Sequence, residues 1–237
     1  MDDTTREPLD RAAVANLAAV RTRIAAACAR SRRDPASVRL IAVVKQRPLE
    51  QVRALIRAGA LELAENRPLD ARDRVPQLPA GPLWHMIGRL QTNKSKYLPP
   101  IFEWVHSIDR HELADGVSDA YWKAGKRALG CLQINVSGEE VKAGVGPEDA
   151  EDFVRHCLAL PGLDVRGLMT MAPLEAEPEA TRPVFRALRA LRHQLEAEVG
   201  HPLPELSMGM SNDFEVAVEE GATMARVGSA LFAGMPE

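Results

Sequence analysis

The feature that most constrains this chain is an alternation: short apolar runs of strand character recur along it, with helical stretches between them. Eight such runs can be read, at 38–44 (VRLIAVV), 61–64 (LELA), 84–87 (WHMI), 103–108 (EWVHSI), 130–136 (GCLQINV), 164–171 (DVRGLMTM), 205–208 (ELSM) and 224–227 (MARV). Apolar runs of this kind suit strands covered on both faces, as in parallel sheets, and strands joined through helices make parallel crossovers. Helical stretches lie at 48–58, 109–126, 147–159, 178–199 and 212–220, several of them opening on Pro or Asp as helix starts do. A further helix, LDRAAVANLAAVRTRIAAACARS, precedes the first strand; its apolar residues recur at spacings of three and four, and Asp10 or an earlier residue can cap it. Eight strands in roughly 200 residues predict an α/β fold, a closed (β/α)8 barrel with an extra N-terminal helix. A doubly wound open sheet is the alternative. The Pro-bearing stretches 76–82, 99–100 and 173–178 are short and fall between elements, so 1–237 reads as one domain.

A barrel carries its chemistry at the carboxyl ends of its strands. Lys45 ends the first, in LIAVVKQRP, and is the one lysine of six (against 24 arginines) that abuts a long apolar strand. It is either a surface lysine marking where the strand meets water or a reactive amine. Glu65 and Asn66 follow the second strand, IGRLQTNK the third, Ser107 and Asp109 the fourth, and Thr170 ends the sixth. The seventh leads into SMGMSND (207–213) and the eighth into GSA (228–230). Glycines and serines ahead of short helices bind phosphate through freed N–H groups and hydroxyls, and barrels commonly place phosphate after strands seven and eight. Each segment alone is equally a turn or a helix cap.

A phosphate site and a lysine at one barrel mouth suggest pyridoxal 5′-phosphate (PLP), whose aldehyde condenses with an amine; burial near the strand end would favour the reactive neutral form. Arg226, ending the eighth strand, would then face the pyridine nitrogen and keep it unprotonated, which weakens the cofactor as an electron sink. Its alternative role is an ion pair with Glu219 or Glu220. Strand alternation puts His85 and Ile87 on one face and Trp84 and Met86 on the other. His85 is either a core histidine satisfied by a neighbour or a cofactor contact. His106, His111 and His156 show no metal-ligand spacing, so no metal is expected.

The formal net charge of −3 and 4% aromatic content argue against nucleic acid or an anionic membrane as partner. No run approaches about 18 consecutive apolar residues, and the acidic start MDDTTREPLDRAA is unlike a signal peptide. Cys28, Cys131 and Cys157 are widely spaced, with no CxxC pair, and read as buried small hydrophobes. A cytoplasmic protein is the expectation.

The segments AVVKQRP, AENR, WHMIGRLQTNK, HSID, INVSGEEVKAG, GLMTMAP and LSMGMSNDFEVAVEEGATMARVGSALF resemble, in order and over nearly the whole chain, the pyridoxal phosphate homeostasis protein family. That family is similar to the N-terminal barrel of alanine racemase, of PLP fold-type III, without the racemase's C-terminal β domain. The resemblance implies PLP held as a Schiff base on Lys45. It also implies ring contacts from Asn66 and His85, and phosphate held by Ser207 with the backbone of Met208, Met210, Gly228 and Ser229. Arg226 would approach the ring nitrogen. The chain departs from the family pattern at Val44, Gln46 and Arg67, where hydroxyls and an aromatic are usual, and at VKAG in place of S-K-H-G.

The function implied is intracellular PLP homeostasis: binding, buffering and supplying PLP without turnover, as a monomer, with apo PLP-dependent enzymes as possible partners. A PLP-dependent amino-acid racemase is the alternative. Two-base racemisation needs a tyrosine opposite the lysine, and the chain has only Tyr97 and Tyr121, both on expected helices. A barrel without PLP, with Lys45 as an aldolase-type or structural lysine, is the third reading.

Overall fold

The computed structural model describes residues 3–138, 143–173 and 176–236. Glu139, Glu140, Val141 and Lys142, within the family-like segment after the fifth expected strand, lie outside them. Eight parallel strands close into a barrel in sequence order: β1 (Arg39–Val43), β2 (Glu62–Glu65), β3 (Leu83–Met86), β4 (Trp104–Ile108), β5 (Ala128–Gln133), β6 (Leu163–Met169), β7 (Glu205–Ser207) and β8 (Met224–Val227). Closure is made by β1 pairing with β8, with Ile41 opposite Arg226 and Ala42 opposite Val227. The open sheet is thereby ruled out.

The strands sort their side chains by alternation. Ile41, Val43, Ala64, Trp104, Cys131, Met169 and Met224 fill the barrel interior. Their neighbours, among them Ala42, Leu63, Trp84, Met86, Leu132 and Leu206, face the helices in the larger outer core. Polar residues share the inner layer: Arg39 stacks on Trp104 and pairs with Glu205 at 2.8 Å, and His85, His106, Ser207 and Arg226 are all buried there.

Seven α-helices are present among the described residues: α1 (Asp3–Arg30), α2 (Leu49–Arg57), α3 (Pro68–Arg74), α4 (His111–Lys123), α5 (Ala150–Leu158), α6 (Arg182–Val199) and α7 (Phe214–Glu219). The helix α1 starts well before Asp10, which does not cap it and instead pairs with Arg57 of α2. Against the expectation that nothing resembles a span, residues 6–30 of α1 are long and apolar enough to cross a membrane by length and composition. In the fold, the stripe Leu9, Ala13, Leu17, Val20, Ile24 and Ala27 is buried in the outer core, and α1 packs on α2 and α7. The helix α3 is an addition to the expected elements, and after β3 a 3-10 helix, Thr92–Tyr97, stands where a crossover α-helix is usual. Two expected helices begin as 3-10 turns, Pro147–Asp149 and Pro178–Thr181, each opened by a proline, whose missing N–H costs no bond in a first turn.

Candidate cofactor site

The chain turns sharply after β1, and Lys45 lies two residues beyond Val43, the last of the strand. The turn places Gln46 in the left-handed region, at φ +60°, a conformation few non-glycine residues adopt. Lys45 is exposed, so the burial expected around its amine is absent. It lines a cavity of about 410 Å³ at the carboxyl end of the barrel, with Val43, Asn66, Ile87, Gly88, Met171, Met210, Ser211, Asp213, Arg226, Gly228 and Ser229 among the other lining residues. That volume lies within the usual range for small-molecule sites. Gly88 is required by close approach: a Cβ there would meet the Asn66 carbonyl oxygen at 2.2 Å.

The loops after β7 and β8 meet across one edge of this cavity. The Gly228 amide donates to Ser211 Oγ at 3.0 Å, tying one loop to the other. Gly209, at φ +89°, turns the first loop, and a Cβ would meet Ala217 Cβ at 2.6 Å. The amides of Ser211, Asn212 and Ser229, all residues of the cavity lining, find no acceptor among the described residues, so three free donors lie on the loops where an anion is expected. Of these, only Ser229 is among the donors implied by the family resemblance. The Met208 amide is bonded to the Met224 carbonyl, that of Met210 to Asp213 Oδ1, and that of Gly228 to Ser211. Burial raises the Asp213 carboxyl above the usual range, while the Met210 amide and Arg226 oppose the shift.

Three other expected contacts lie off the cavity wall. Met208 is buried in the outer core. Ser207 and His85 are fully buried one layer beneath the cavity, in a polar column that descends the barrel axis. At its top, Arg226 donates to Ser207 Oγ and, at 2.9 Å, to the Thr170 carbonyl. His106 Nδ1 lies 2.7 Å from Ser207 Oγ, His106 Nε2 lies 2.9 Å from His85 Nδ1, and His85 Nε2 lies 3.0 Å from Glu62 Oε2.

The direction of every donor follows from Arg226, which has no acceptor. Ser207 accepts from it and so gives its hydroxyl hydrogen to His106 Nδ1; His106 then carries its proton on Nε2 and donates to His85 Nδ1, which leaves the His85 proton on Nε2, close to Glu62 but without hydrogen-bond geometry to it. Both rings are neutral in this order. Burial agrees, holding His85 and, more strongly, His106 below the ordinary histidine value. Burial also lowers Arg226 to about 10, against a pull upward from Asp213. The ion pair with Glu219 or Glu220 considered for Arg226 is not formed. Those carboxylates bind Arg30, Arg182, Arg186 and Arg189, which lace α1, α6 and α7 together.

Sequence reasoning did not find His106 as a member of the site's support, nor Ser211 and Asp213 as cavity residues. His106 sits two residues after Trp104 on an inward face, a signal available from alternation. Ser211 and Asp213 lie inside the segment 207–213 already singled out. Neither tyrosine reaches the cavity: Tyr121 is buried and donates to the Phe102 carbonyl at 2.6 Å, and Tyr97 ends the 3-10 helix. Among the described residues no group of three His, Cys, Asp or Glu could hold a metal ion.

Residues 15–236 match the family model described as alanine racemase, N-terminal domain. A pyridoxal phosphate homeostasis protein of Aquifex aeolicus is 43% identical over 217 residues, 91% of this chain and 95% of that protein. The chain belongs to the pyridoxal phosphate homeostasis protein family. Another family member, from Pseudomonas aeruginosa, is 42% identical over 92% of this chain and 93% of its own. The structure of PipY of Synechococcus elongatus with PLP bound superposes with a TM-score of 0.81 at 33% identity, over 93% of this chain and all of PipY. Alanine racemase of Corynebacterium glutamicum shares the fold, with a TM-score of 0.73 at 15% identity; this chain spans 63% of its length.

Proposed function

We propose that this chain binds PLP covalently through Lys45 and serves to hold and supply it in the cytoplasm, as a monomer and without turnover of its own. The observation that carries the reading is the convergence of Lys45, Arg226 and the paired loops after β7 and β8 on one cavity of about 410 Å³. The donor set fits the group. Three free amides and the Ser211 and Ser229 hydroxyls suit a phosphate, an exposed amine suits an aldehyde, and Ile87, Met171 and Met210 offer apolar surface to a ring. PLP supplies an aldehyde that captures amines and a ring that accepts electrons in proportion to the charge on its nitrogen.

The residues of this chain favour holding over catalysis. Arg226 is clamped by Ser207 and the Thr170 carbonyl and can only donate, so it would keep a proton off a ring nitrogen placed against it. Ser207, which accepts from Arg226, is held in turn by His106. Lys45 has no tyrosine opposite it, so the second base of a two-base racemase is lacking among the described residues. Three buried cysteines held as free thiols suit a reducing compartment. Of the exposed large apolar side chains Val14, Leu61, Leu83, Trp122 and Met171, Leu61 and Leu83 are neighbours and the others lie on separate segments, a small apolar exposure that favours a monomer. The recipients we propose are apo PLP-dependent enzymes.

The test is an absorbance spectrum with PLP, then borohydride reduction and peptide mass mapping. A band near roughly 420 nm that collapses on reduction, with a pyridoxyl mass on the Lys45 peptide, is the expected result. A colourless, unmodified chain would overturn it. Racemisation of any amino acid that Lys45→Ala abolishes would replace the carrier by an enzyme.

A further inference from the structure

A second cavity, of about 770 Å³, lies beside the first and shares Asn66 and Arg89 with it. It is built by the segments after β2, β3 and β4, not by the loops after β7 and β8. Four cations line it, Arg67, Arg89, Lys94 and Arg110, against the single carboxylate of Asp70. Arg110 is already matched by Asp109 and donates to the Leu90 carbonyl and Thr92 Oγ1. Arg67 approaches Asp70 at 3.9 Å. The side chains of Arg89 and Lys94 have no hydrogen-bond or ion-pair partner among the described residues, although Lys94 is half-buried.

Two positive charges thus stand uncompensated in a concave site, in a chain whose formal net charge is −3. A cleft lined by one sign of charge focuses its field and concentrates counter-ions. Arginine forks and a lysine point charge together suit phosphate oxygens, and a dianion gains more from two cations than a monoanion does. The rest of the wall is an apolar part, Pro68, Leu69 and Leu90, with the amides Asn66 and Gln91 beside it.

We propose that this cavity is a second anion site, which takes a small phosphate monoester carrying an apolar body while the Lys45 site is occupied. Arg89 and Lys94 hold the phosphate, Arg67 closes over it from the rim, and the apolar wall receives the organic group.

The probe is phenyl phosphate, titrated by calorimetry into chain whose cofactor cavity has been filled by PLP and borohydride. If PLP does not load, the spectrum shows that failure first, and the titration is made on the Ser229→Asp chain, in which the other anion loop carries a negative charge. One molecule should bind per chain, with a dissociation constant on the order of 1 mM or below, weakening as salt is raised. Arg67→Ala with Lys94→Ala should weaken it at least tenfold at an unchanged melting temperature. Lys94→Met alone should give a smaller loss of the same sign and serves if the double variant folds poorly. Absence of binding, an affinity indifferent to these substitutions, or equal binding of benzoate would overturn the proposal. Inorganic phosphate bound as tightly as phenyl phosphate would overturn the assignment of an organic ester.

Discussion

Lys45 and Ser229 follow the paired strands β1 and β8 and line one small cavity, and both are exposed, so substitutions there act on ligand and little on fold. Lys45→Ala should change unfolding free energy by no more than about 0.5 kcal/mol in urea titration while removing the borohydride-fixed adduct. A retained adduct would move the covalent site elsewhere. Ser229→Asp brings a carboxylate beside the three free amides and should weaken PLP binding by about tenfold or more, since like charges in a partly enclosed site repel strongly. Fluorescence titration measures this, and an unchanged affinity would mean that the loop after β8 is only a turn. The departures from the family pattern are interpretable at this scale as well. Val44 is fully buried in the outer core, where a hydroxyl would need a partner; Arg67 serves the neighbouring basic cavity; and Gln46 adopts a left-handed backbone at the foot of the lysine.

At the scale of elements, α1 shows how a helix with a span-like composition is held in a globular fold. One face is buried against α2 and α7, and salt bridges from Arg23 to Glu215 and from Arg30 to Glu219 fasten the polar flank. Leu17 is 2% exposed at the middle of that face, so Leu17→Ala should cost about 2–4 kcal/mol by denaturant titration. A cost below about 1 kcal/mol would show that α1 is loosely attached. The loop from β7 to α7 depends on Gly209 in the same way. Its positive φ and the Cβ contact at 2.6 Å predict that Gly209→Ala destabilises the chain by at least about 1 kcal/mol and loosens cofactor binding together.

At the scale of the molecule, the polar column joins the cavity to the opposite end of the barrel. Burial keeps His85 and His106 below the ordinary value of 6.5, so the unfolded chain binds more protons than the folded one once the pH falls below that value. Their contribution to stability is complete above about 6.5 and is lost as the pH falls, at up to about 1.4 kcal/mol per pH unit for each ring. Glu65 and Asp213, raised by burial, act in the opposite sense: their contribution is present at low pH and lost as the pH rises through their folded values. The histidine part is isolated by comparing urea unfolding of the parent chain and His106→Asn between pH 8 and pH 5.5. The parent should lose stability more steeply toward acid. Parallel slopes would show that His106 titrates alike in the folded and unfolded chains.

Period and punctuation determined most of the architecture. Eight apolar runs fall on the eight strands within a few residues at each end, and alternation alone sorts β3 into two faces, His85 with Ile87 and Trp84 with Met86, of which the structure turns the first inward. The residues that line the cavity at strand ends, Lys45, Asn66, Met210, Arg226, Gly228 and Ser229, were legible for the same reason: a parallel barrel presents those positions at one face. What only the tertiary structure decided is where each hydrogen bond goes. No local pattern says that the Met208, Met210 and Gly228 amides are already bonded, that His85 lies beneath the cavity, or that His106 bridges it to Ser207. Those outcomes depend on strand register and on atoms brought together from β2, β3, β4, β7 and β8, segments far apart in the chain, and a donor's partner is a property of that assembly, not of the residues beside it in sequence.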